Sequence, residues 1–115
     1  MPPILLITGG SSGIGAATAL LAAEHDYERI VITYSQDSEG ADRVAKALMD
    51  QGIDAYAVQS DVTNPDSTAQ LFEFLRSLPS GPLHLVNNAG TVSPQGSIAD
   101  LTPERVEKVF AVNVF

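Results

Sequence analysis

Cysteine is absent from the 115 residues. That excludes disulfides and cysteine-based metal sites and suits a reducing compartment. Basic residues are scarce, 6 Lys and Arg against 14 Asp and Glu, which leaves a net charge of −8. They form no cluster, so nothing in the chain matches a nucleic-acid backbone. Long apolar runs are also missing. Near the N-terminus the longest is Ile4–Ile7, with no basic residue before it, too short for a signal peptide or a membrane span. No repeat, low-complexity tract or linker interrupts the chain. The expectation is a soluble cytoplasmic protein with no nucleic-acid and no membrane partner.

What is present suits a globular domain: 44% hydrophobic and 17% charged residues. At this length roughly 60–70% of the unfolded surface can be buried, enough for one domain over residues 1–115 or part of a longer one. Apolar runs alternate with helical stretches. ILLIT (4–8) is a continuous run that suits a strand buried on both faces. IGAATALLAAEH (14–25) is rich in helix formers. RIVITY (29–34) predicts a second strand and EGADRVAKALMD (39–50) a second helix, with Gly52 as its stop. DAYAVQSD (54–61) predicts a third strand. Thr63 or Asn64 can cap the next helix, with Pro65 in its first turn and its end near Leu78. LHLVNNAG (83–90) predicts a fourth strand entering a turn. Thr102 and Pro103 then open a last helix, on which Val106, Val109, Phe110 and Asn113 share one face. Strands and helices alternating in this way predict an α/β fold, a parallel sheet with helices on both faces.

Between the first strand and the first helix lies TGGSSGIG, residues 8–15. Gly9, Gly13 and Gly15 are spaced GxxxGxG, with Gly10 as an extra. Such a turn leaves backbone N–H groups unpaired at a helix N-terminus, where the dipole favours a pyrophosphate. Gly9 permits the tight turn, Gly13 a close approach of backbone to phosphate, and Gly15 close packing of helix on sheet. A plain glycine-rich turn remains the bland alternative, and the strand–turn–helix setting favours the binding role. No Lys follows the glycines, so a nucleotide-hydrolysing phosphate loop is not supported.

TGGSSGIG, DV at 61–62, NNAG at 87–90 and VFAVNV at 109–114 together resemble the ordered signatures of the short-chain dehydrogenase/reductase family. The resemblance runs from residue 4 to 115. It implies a Rossmann-type doubly wound parallel sheet in three layers, incomplete on its C-terminal side. It also implies an oxidoreductase that passes hydride between a nicotinamide dinucleotide and a small carbonyl or alcohol substrate, commonly as a homo-oligomer, a dimer or tetramer.

By this resemblance Thr8, Gly9, Ser11, Ser12, Gly13, Ile14 and Gly15 form the pyrophosphate turn. Asp61 reaches the adenine amino group and Val62 lies along the ring. The alternative for Asp61 is a cap of the turn before Thr63. Asn88 steadies the sheet centre, and Ala89 and Gly90 line the ribose and nicotinamide. Physical chemistry alone expects the amides of Asn87 and Asn88 to pair with neighbouring strand ends. Asn113 corresponds to an Asn that holds a catalytic Lys through water. Its alternative is a satisfied core amide. No metal site is expected.

The NAD rule wants an acidic residue after the second strand. Tyr34 stands there, followed by Ser35, so a 2′-phosphate meets no carboxylate at that position and NADP is preferred, with NAD possible. Ser11, Ser12, Ser35 and Gln36 could hydrogen-bond a phosphate, whereas Asp37 and Glu39 count against it. The family's catalytic Ser and Tyr-x-x-x-Lys do not occur between Asn113 and Phe115 or in the residues before them. The expectation is the cofactor-binding half of a longer enzyme, inactive alone. The alternative is a non-catalytic dinucleotide-binding sensor or regulatory module.

Overall fold

The computed structural model describes residues 2–89. Seven elements alternate: β1 (Ile4–Ile7), α1 (Gly13–Ala22), β2 (Arg29–Tyr34), α2 (Ser38–Asp50), β3 (Asp54–Gln59), α3 (Pro65–Ser77) and β4 (Leu83–Val86). All pairings are parallel, in the order β3-β2-β1-β4. The predicted α/β sheet is therefore present. Its order changes direction at β1, between β2 and β4.

Side chains alternate across each strand, and the two faces carry separate cores. Leu5 and Ile7 of β1 and Ile30 and Ile32 of β2 pack with Ala19 and Ala22 of α1 and with Ala41, Val44 and Leu48 of α2. Ile4, Leu6 and Val31 face the other way, onto Leu71 and Leu75 of α3. β1 is buried along its whole length, as its unbroken apolar run predicts. The layers are helix, sheet, helix.

Element ends differ from the periodicity by a few residues. α1 stops at Ala22 rather than at residue 25, because His25 N–H bonds back to the Ala22 carbonyl and turns the chain toward β2. β3 ends at Gln59 and β4 at Val86, where the chain leaves the ladder to form the site described below. Asn64, not Thr63, caps α3: its side chain accepts from the N–H groups of Asp66 and Ser67. Among the described residues, no helix is long and apolar enough to cross a membrane. The last predicted helix, with Asn113, and the Gly90 position lie outside the described residues.

Candidate functional site

The carboxyl ends of β1, β2, β3 and β4 open onto one cleft of about 400 Å³. It lies where the strand order reverses, the place ligands occupy in open parallel sheets. Its walls come from the β1–α1 turn (Gly9, Ser11, Ser12), from the end of β2 and the loop after it (Thr33 to Asp37), from Ser60, Asp61 and Val62, and from Asn88 and Ala89.

The floor is held by one hydroxyl. Thr8 Oγ1 accepts the N–H of Asn88 at 3.0 Å and of Ala89 at 3.1 Å, and donates to the Val86 carbonyl at 3.4 Å. The Asn88 side chain returns the tie, its Nδ2 donating to the Gly9 carbonyl at 3.0 Å. Asn88 thus pairs with a neighbouring strand end, as a half-buried amide must, whereas Asn87 is exposed. Thr33 fixes the other side of the turn: its hydroxyl accepts from Gly9 N–H and its carbonyl from Gly10 N–H. Gly10 has a packing reason for being glycine, since a Cβ there would stand 2.6 Å from the Ile32 Cβ.

The predicted glycine roles divide. Gly9 and Gly13 have φ of +71° and +58°, a region costly for other residues. A Cβ on Gly13 would meet nothing within 4 Å, so that position faces open space. A Cβ on Gly15 would overlap the Gly9 carbonyl and stand 2.6 Å from Asn88 Nδ2. Gly15 therefore lets α1 approach the strand ends themselves.

The three helices differ at their N-termini. Asp37 caps α2 through the Gly40 N–H, and Glu39 lies in its first turn. Asn64 caps α3, with Asp66 in its first turn. Ser12 stands at the N-cap of α1, but its side chain caps nothing, and the first turn of α1 holds no acid. The positive end of α1 is thus left uncompensated, beside the cleft.

Asp61 takes the bland role that its sequence allowed. Its Oδ1 accepts from both the hydroxyl and the N–H of Thr63, at 2.7 and 2.9 Å. Those two bonds, the hydroxyl first, hold its carboxyl below the usual carboxylate range. It still lines the cleft, as an ionised acceptor.

Of the predicted site residues, the structure brings Gly9, Ser11, Ser12, Tyr34, Ser35, Asp61, Val62, Asn88 and Ala89 to the cleft wall. Thr8 and Gly15 are buried behind it, and Gly13 and Ile14 are exposed at the start of α1 outside that wall. Thr33 and Ser60 line it without having been predicted. The available signal was their position, hydroxyls at the carboxyl-terminal side of largely apolar runs, Thr33 one residue before the end of β2 and Ser60 one residue past β3.

Residues 3–115 match the profile of the short chain dehydrogenases. The chain belongs to the short-chain dehydrogenase family. It is 40% identical over 112 residues to versicolorin reductase 1 of Aspergillus parasiticus, covering 96% of this chain and 41% of that protein. An uncharacterized oxidoreductase of Escherichia coli K12 is 35% identical over 111 residues, covering 96% and 44%. A short chain dehydrogenase from Burkholderia cenocepacia J2315, solved in complex with NADP, superposes with a TM-score of 0.84 at 36% identity, over 96% of this chain and 44% of that one. One from Sphingobium yanoikuyae, in complex with NADPH, gives 0.80 at 33%, over 97% and 43%. This short-chain dehydrogenase chain thus spans about two fifths of the length of the relatives it matches.

Proposed function

We propose that this chain supplies the cofactor-binding half of an oxidoreductase that passes hydride between NADP(H) and a small carbonyl or alcohol compound. The observation that carries the reading is the α1 N-terminus, with neither side-chain cap nor acid, beside a cleft at the strand-order reversal. A pyrophosphate fits there: glycines give it close access, and unpaired N–H groups and the helix dipole favour its charge.

In this reading the Gly9 to Gly15 turn, with Ser11 and Ser12, holds the phosphates. Asp61 accepts from the adenine amino group and Val62 covers the ring. Tyr34 and Ser35 flank the adenosine ribose. Asn88, Ala89 and Gly90 border the nicotinamide side, with Thr8 steadying the backbone of Asn88 and Ala89. Asn113 serves the proton relay, with the family's Ser and Tyr-x-x-x-Lys placed beyond residue 115. The bound dinucleotide supplies the hydride acceptor or donor. NADP is favoured because no carboxylate stands at Tyr34, and the solved relatives in complex with NADP and NADPH support that choice. Cytoplasmic location and a homo-oligomeric parent belong to the same proposal.

The test is NADPH- and NADH-dependent reduction of a panel of small carbonyl compounds by the full-length protein. NADPH should be the better donor by a modest factor. Tyr34→Asp should move preference toward NADH, by repelling a 2′-phosphate and accepting from the 2′-hydroxyl. No turnover with either donor, or a wild type that prefers NADH, overturns the corresponding part.

A further inference from the structure

The adenine side of the cleft is a turn, residues 60–64, between the end of β3 and the start of α3. Much of its hydrogen bonding is internal. The Thr63 N–H and hydroxyl both donate to Asp61 Oδ1, and the Asn64 N–H donates to the Asp61 carbonyl at 3.0 Å. On the sheet side the Ser60 N–H donates to the Tyr34 carbonyl at 2.9 Å. Asp61 and Val62, which line the cleft, are tied to α3 by a single side chain that does not line it. The Asp61 N–H donates to Ser67 Oγ at 2.9 Å. The Ser67 hydroxyl in turn donates to Ser60 Oγ at 3.4 Å, and Ser60 is buried. Ser67 is the third residue of α3, and that helix is seated on the sheet through Leu71 and Leu75.

We infer that Ser67 is a positioning residue for the adenine end of the cofactor, holding the Asp61 backbone from α3 so that its carboxylate meets the amino group. This role rests on the proposed cofactor site and deepens it. Thr63 occupies Oδ1, and Oδ2 accepts no bond among the described residues. That second oxygen is the one left for a ligand. Asp has a short side chain, so the reach of Oδ2 is set by where the backbone of residue 61 stands, and a hydrogen bond weakens beyond about 3.2 Å. Thr63 cannot set that position, because it belongs to the same turn and moves with it. Ser67 can, because α3 is anchored in the core. A hydroxyl is required, since it accepts from one neighbour while donating to another.

The experiment is fluorescence titration of the full-length protein with NADPH and with its hypoxanthine analogue, for wild type, Ser67→Ala, Ser67→Thr and Thr68→Ala. Hypoxanthine carries an oxygen where adenine has its amino group, so it has nothing there to donate to Asp61. A hydrogen bond to a charged group should make wild type prefer NADPH roughly tenfold. Ser67→Ala loses a neutral hydrogen bond, and should weaken NADPH binding and the preference together, each by about twofold to tenfold. The Asn64 cap remains in that variant and Ala is a good helix former, so the fold is kept. Ser67→Thr retains the hydroxyl and should restore the preference. Thr68 bonds within α3, to the Asn64 carbonyl at 3.3 Å, so Thr68→Ala should leave the preference as it is. An unchanged preference in Ser67→Ala, an equal fall in Thr68→Ala, or no recovery in Ser67→Thr overturns the role of Ser67 and leaves the cofactor site standing. Equal binding of the two ligands by wild type overturns the Asp61 contact and this role with it. Binding of neither overturns the cofactor site as well.

Discussion

At the scale of single residues, the site depends on side chains that hold backbone rather than on side chains that reach into the cleft. Thr8 is the clearest case. Replacing it with Val keeps the shape and removes the acceptor of two N–H groups at the end of β4. Each N–H left without that partner costs about 1–3 kcal/mol when it cannot reach water. Thr8→Val should therefore lose roughly 2 kcal/mol in urea denaturation and weaken dinucleotide binding, and Thr8→Ser should recover most of both. An unaffected Val variant would mean that water replaces the hydroxyl. The TGGSSGIG turn was legible in sequence because glycine spacing states a backbone requirement directly. The division of labour inside it was not, since the neighbour that makes Gly15 necessary, Asn88, lies 73 positions away in the chain. Asp37 was legible as a charge near the phosphate position, but its cap on α2 through the Gly40 N–H exists only in three dimensions.

Among elements, the strands were the most readable. Unbroken apolar runs such as Ile4–Ile7 and Ile30–Ile32 can only be satisfied between two helical layers, and they are. The ends were less readable, because β3 and β4 stop where tertiary hydrogen bonds draw the chain away from the ladder. The N-terminal ends of β2 and β3 are joined by Arg29 and Asp54, whose Nε and Oδ2 are 2.7 Å apart. The Arg29 hydrogen bond holds the Asp54 carboxyl below the usual carboxylate range, against a smaller opposing effect of burial. A carboxyl lowered in the folded state contributes stability above its unfolded value, about pH 4, and loses it as pH falls through the folded value. Asp54 is 44% exposed, so solvent screening limits the pair to about 0.2–1 kcal/mol. Asp54→Asn should cost that much in denaturant titrations at pH 7 and almost nothing near pH 2. An equal loss at both values would assign the effect to packing instead of charge.

For the molecule as a whole, β4 is the last strand of the described sheet on its side. Leu83 and Leu85 are 42% and 50% exposed. An apolar strand edge invites pairing with another chain. Purified as residues 1–115, the chain should bind the adenosine half of the cofactor weakly, turn over no carbonyl substrate and self-associate in sedimentation, with Leu85→Lys reducing the association. A monodisperse monomer would count against the self-association, and turnover by material whose mass ends at Phe115 against the half-enzyme reading. Alternation of strands and helices made the sheet readable. The pairing of β1 with β4 does not follow from that alternation alone, because it joins residues about 80 positions apart. That separation also has a consequence in time. Ribosomes add roughly 5–20 residues per second, so β2 reaches β1 early, while β4 emerges on the order of several seconds later. Until then one side of the most buried strand has no partner, and Thr8 has no Asn88 or Ala89 to hold. During synthesis the cleft is the last part of this region to be completed, and a nascent chain shorter than about 90 residues has no floor on which a dinucleotide could settle.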